Sequence, residues 1–133
     1  MDLGDGKVET DDAVFGKNEN DFNIFALTDA IGAKDKRNAW MIYQRALASG
    51  MTADEIFWRV MWGVKSLLLA ERCVSAEEAG LNPFVFRKSK SFIKNWKREE
   101  LENLSESLTA GYHKARRGVF SLDSLLERLI LSI

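Results

Sequence analysis

From Phe22 onward the apolar positions of this chain recur at helical spacing. Ile24, Leu27 and Ile31 share one face and predict a short first helix over about Phe22 to Ile31, with Gly32 as its stop. Ala39, Ile42, Tyr43, Ala46 and Leu47 continue the pattern through residues 35 to 49, and Gly50 supplies a left-handed C-terminal cap. Two helices joined by so few residues are expected to form an antiparallel hairpin.

Thr52-Ala53-Asp54-Glu55 has the form of a capping box, in which threonine and glutamate each satisfy a backbone donor left over at a helix start. The helix it opens, Ile56 to Arg72, carries apolar residues in nearly every direction. Only Arg59, Gly63 and Ser66 mark a narrow polar stripe, so this helix is expected at the centre or covered on two sides. Trp58, Trp62 and Leu69 lie away from the Ile56, Val60, Val64 and Leu67 side. Either they extend the core, or they form a patch that another subunit covers.

Ser75-Ala76-Glu77-Glu78 repeats the capping grammar for a short helix ending at Gly80, and Asn82-Pro83 pairs an N-cap with a first-turn proline for the next, which runs up to Trp96. Leu101, Leu104, Leu108, Tyr112 and Ala115 then mark a long amphipathic helix stopped by Gly118. Ser121 caps a last one bearing Leu122, Leu125, Leu126, Leu129, Ile130 and Ile133. The expected architecture is therefore all-α, a single bundle of six or seven helices, without the internal repeat of a solenoid.

Composition fits one soluble domain: 133 residues, 46% hydrophobic and 29% charged, with a single proline. A chain of this length buries roughly two-thirds of the surface its unfolded form exposes. No apolar run approaches the length of a bilayer span, and Met1-Asp2-Leu3-Gly4-Asp5 lacks a basic signal region, so no membrane association and a cytoplasmic location are expected. Charge is uneven. Residues 1–21 carry seven acidic and two basic side chains, leaving 13 acidic and 17 basic for residues 22–133. Gly4, Gly6, Gly16 and the polar run Lys17-Asn18-Glu19-Asn20-Asp21 suggest that residues 1–21 are an acidic linker, cut from something larger, and that residues 22–133 are the folded domain.

Chemistry is sparse. Cys73 is the only cysteine, reads as a small helix-embedded hydrophobe, and has no Cys or His neighbour at zinc-ligand spacing. His113 is the only histidine and reads as solvent-facing or helix-terminal. Glu99, Glu100 and Glu102 sit at a helix start, where carboxylates complement the helix dipole, with no partner group to suggest acid and base roles. Neither a phosphate loop nor a dinucleotide turn is present. No enzyme activity, metal or cofactor is expected.

One charged feature stands out. Between Arg87 and Arg98 six of twelve residues are basic, namely Arg87, Lys88, Lys90, Lys94, Lys97 and Arg98, none is acidic, and Phe92 and Trp96 are interleaved. Such a segment could track a phosphate backbone and stack bases, form a solvated helix face, or meet an acidic neighbouring subunit. A stand-alone nucleic-acid-binding module is thus the alternative reading.

Phe25-Ala26-Leu27-Thr28-Asp29-Ala30-Ile31-Gly32, followed by Leu81-Asn82-Pro83-Phe84-Val85 with Lys88, resembles the C-terminal collar domain of the delta subunit of bacterial DNA polymerase III clamp loaders. Other stretches fit in the same order. Asp12-Ala13-Val14 resembles the end of the family's middle domain, and Ala46-Leu47 with Ser49-Gly50, Ile56-Phe57-Trp58 with Lys65, Leu67-Leu68-Leu69 and Leu126-Glu127-Arg128-Leu129-Ile130 resemble later collar helices. Trp62 departs from the family, which often has a polar or basic residue there, and so does Tyr112-His113-Lys114, where an aspartate is usual. The resemblance implies a non-catalytic oligomerisation domain. It would close a ring with the collars of delta prime and tau/gamma-type subunits, leaving contact with the sliding clamp to an N-terminal domain that is missing here. It also implies a subunit interface, for which Trp58, Trp62, Lys65 and Leu69 are the candidates.

Overall fold

A computed structural model describes residues 25–133. Side chains at the helix starts fix the segmentation. The first helix, α1, covers residues 25–32. Asp35 then accepts the Asn38 N–H and opens α2, Lys36–Ala48. The Thr52 hydroxyl accepts the Glu55 N–H at 3.1 Å while Glu55 accepts the Thr52 N–H at 3.0 Å, completing the expected capping box of α3, Ala53–Arg72. Ser75 caps the one-turn helix α4, Ala76–Ala79, and Asn82, with Pro83 behind it, caps α5, Pro83–Phe92. A 3-10 turn, Ile93–Asn95, leads to α6, Arg98–Arg116, and Ser121 caps α7, Leu122–Ser132. Each cap satisfies a donor that the helix itself leaves unpaired. There is no strand among the described residues, so the fold is an all-α bundle of seven helices.

Central α3 packs against α4, α5, α6 and α7, and α7 is also held by α2 and α6. The core between them contains Leu27, Ile31, Tyr43, Ile56, Phe57, Val60, Val64, Leu108, Leu126 and Ile130. Full burial of each large aliphatic or aromatic side chain stabilises such a core by about 1.5–3 kcal/mol relative to exposure.

Gly32 ends α1 as expected, and the left-handed residue beyond it is Lys34, at φ 57°. Gly32 is also needed because a Cβ there would lie 2.7 Å from Phe92 Cδ2. Several expectations need correction. The helix expected to run from Pro83 to Trp96 breaks at Phe92. Trp96 is extended, and its indole N–H reaches back to the Gly32 carbonyl at 2.9 Å. Cys73 is not inside a helix but is the extended C-cap of α3. The polar stripe of α3 is also misdrawn. Ser66 is buried and donates to the Trp62 carbonyl, and Gly63 stands against Thr28, its Cβ position 3.0 Å from Thr28 Cγ2. The expected first-helix positions 22–24 and the linker reading of residues 1–21 lie outside the described residues.

Candidate functional site

Once Gly63 and Ser66 turn inward, the outward face of α3 belongs to Trp58, Trp62, Lys65 and Leu69, spaced i, i+4, i+7 and i+11. Both tryptophans are 49% exposed. Lys65 is exposed and Leu69 half-buried, so the four candidate interface residues form one continuous ridge.

The ridge is braced from α6. Tyr112 stacks on buried Phe57, with ring centroids 4.9 Å apart, and meets the Trp58 ring edge-on at 5.0 Å. Trp58 also sits edge-on to Phe57 at 5.2 Å. Arg116 covers the Tyr112 ring and donates to its hydroxyl at 3.2 Å. Trp58 is therefore held in one orientation while half of its surface faces outward. Tyr112 and Arg116 belong to this site although the sequence marked the first only as an apolar position and a departure from the family pattern, and did not mark the second. Fifty-odd residues separate them from Trp58, and no local pattern joins positions that far apart. His113, exposed in the last turn of α6, lies beside Tyr112.

Four of the six cations of the 87–98 segment meet groups of this chain. Lys88 pairs with Asp29 of α1 at 3.2 Å and lies over the Phe84 ring. Arg87 lies at the same ring, and Lys90 over Phe86. Arg98 turns toward the far end of α3, its Nε 3.4 Å from both Glu71 Oε1 and Glu102 Oε2. Among the described residues Lys94 and Lys97 form no ion pair. The interleaved aromatics are used internally. Phe92 packs on Gly32, and Trp96 bonds the Gly32 carbonyl with Lys34 4.4 Å from its ring.

Lys34 also pairs with Glu100 at 3.0 Å. The Lys97 backbone N–H first, and Lys34 second, hold the Glu100 carboxyl below the usual carboxylate range. Capping and pairing thus account for the acidic start of α6. Among the described residues no three His, Cys, Asp or Glu side chains gather into a metal-holding group. No helix among them is long and apolar enough to cross a membrane.

Comparison with protein-family models, with curated proteins and with solved structures found no match. Tryptophan, tyrosine and arginine are the residue types that dominate binding energy at protein interfaces, and here they stand together on a rigid central helix and its neighbour.

Proposed function

We propose that this chain is a non-catalytic docking domain that joins other protein subunits through the outward face of α3. In the reading its sequence supports, it is the collar of a DNA polymerase III delta subunit. Its partners are then the collars of delta prime and tau/gamma-type subunits, in a cytoplasmic complex that loads the sliding clamp during DNA replication. The observation that carries this is the pair Trp58 and Trp62, each half-exposed on the central helix where most other large apolar side chains are sealed.

The role is mechanical. A partner helix laid along Trp58, Trp62 and Leu69 removes apolar surface from water, and the Tyr112–Phe57 stack keeps the Trp58 ring from having to be ordered on binding. Lys65 and Arg116, at the margin, favour an acidic partner and set orientation more than affinity.

The test is co-elution of the chain with delta prime and tau/gamma-type subunits of the same source. A complex that survives high salt and is weakened about 30-fold or more by W58S with W62S, the effect of losing a hot spot of about 2 kcal/mol, supports the reading. Absence of a complex, or a double variant that binds equally well, overturns it.

A further inference from the structure

A second surface lies on the other side of α6. Glu102 and Tyr112 of α6 meet α3, whereas Ser107 and Lys114, on the opposite face of the same helix, line a groove of about 620 Å³ between α6 and α7. Leu104, Leu125 and Ile133, each partly exposed, line it with apolar surface above buried Leu108 and Leu129, and Trp96 closes one end. Gly111 makes room for this meeting of helices. A Cβ there would fall 2.5 Å from Leu125 Cδ1.

The two ends of the groove differ in charge. At the Trp96 end the charged lining residue, Glu100, is already matched by the Lys97 N–H and the Lys34 ammonium. At the other end stand Lys114 and Arg128, both exposed. Arg128 reaches back over the Phe120 ring at 5.3 Å, and among the described residues neither cation forms an ion pair. From Glu100 to Lys114 α6 rises about 21 Å, the length of a helix of some four turns.

We propose that this groove docks an amphipathic helix of a protein partner, with its apolar stripe against Leu104, Leu125 and Ile133 and carboxylates in its last turn against Lys114 and Arg128. The direction follows from charge. The C-terminal end of a helix carries partial negative charge, so Asp or Glu side chains there and the helix dipole both favour the Lys114–Arg128 end. The bound helix runs parallel to α6. The proposal does not depend on the α3 face, from which α6 separates it.

The experiment uses the 133-residue chain and two blocked 16-residue peptides with the same leucine stripe, one bearing three glutamates in its last turn and the other bearing them in its first. Amide resonances of Gly111 and the indole resonance of Trp96 report groove occupancy, and those of Trp58 and Trp62 report the α3 face. The expected result is saturable binding at the groove, at least tenfold tighter for the first peptide, with the order reversed by K114E/R128E and unchanged by W58S/W62S. Equal affinities, no saturable binding, or shifts confined to the α3 face overturn the proposal. Because W58S/W62S leaves this binding intact, its failure and failure of the α3 docking reading are distinguishable.

Discussion

The indole of Trp58 on α3 stands edge-on to the phenol ring of Tyr112 on α6, with centroids 5.0 Å apart and planes at 60°. This pair links the interior to the proposed docking face, because Tyr112 stacks in turn on Phe57, which is 1% exposed. Tyr112→Ala therefore has two effects. It removes both aromatic contacts, each worth about 0.5–1.5 kcal/mol beyond area burial, so unfolding free energy falls by about 2 kcal/mol. It also frees the Trp58 ring. Trp62 has no ring contact among the described residues. Trp62→Ser loses only the burial of half an indole and should shift the urea midpoint by an amount equivalent to about 1 kcal/mol. Equal losses for the two variants would contradict this division of labour.

Tyr43 supplies a pH-dependent term. Its ring is fully buried, and its hydroxyl donates to Asp123 Oδ1 at 3.0 Å. Burial first, and the Asp123 carboxylate second, push the phenol well above its ordinary range. Because the raised value belongs to the folded state, the stability it contributes is complete below about pH 10, the titration point of an unfolded tyrosine. It is lost as pH rises above that point, where the unfolded chain releases the proton first. Tyr43→Phe should cost about 1 kcal/mol at neutral pH and flatten the alkaline decline. Urea midpoints between pH 7 and 11 check both effects.

Gly32 is constrained by packing and not by backbone conformation. Alanine is the better helix former by about 1 kcal/mol, so propensity alone favours Gly32→Ala. The added Cβ would lie 2.7 Å from Phe92 Cδ2 and would displace the segment whose Trp96 indole bonds the Gly32 carbonyl. Overpacking of this kind costs about 1–3 kcal/mol, so the net change is destabilising. Thermal unfolding measures it, and the Trp96 indole proton should exchange faster in the variant.

Within the 87–98 segment the cations divide by partner. Arg98→Ala leaves Glu71 without its facing cation and should lower stability by up to about 1 kcal/mol, the upper range for a partly exposed pair. Lys94→Ala and Lys97→Ala should change it by less than about 0.5 kcal/mol. Urea unfolding of the three variants at low and high salt checks the order, and only the Arg98 effect should shrink with salt.

The helices were legible because their signals are local. Thr52 with Glu55, Ser75 with Glu78, Asn82 with Pro83, and Ser121 each act within one turn of their own position. The site was half legible. The spacing of Trp58, Trp62, Lys65 and Leu69 marks one face of a helix, but which face looks outward was decided by Thr28 meeting Gly63 from another helix. Tyr112, Arg116 and the α6–α7 groove depend on long-range packing. Gly111 was the available signal for the groove, since a glycine inside a strong helix weakens it and marks a close approach. The partners of the 87–98 segment were hidden for the same reason: its composition is local, and the groups that meet Lys88, Arg98 and Trp96 lie on other helices.

The central claim is that another protein subunit covers the outward face of α3. The chain holds four tryptophans, so labelling with 5-fluorotryptophan gives four fluorine resonances, of which Trp58 and Trp62 are the half-exposed pair. On titration with delta prime and tau/gamma-type subunits, the Trp58 and Trp62 signals should shift and lose their sensitivity to exchange of H2O for D2O, while Trp40 stays unchanged. If a complex forms with both signals still fully solvent-sensitive, the α3 face is not the interface and the account is wrong.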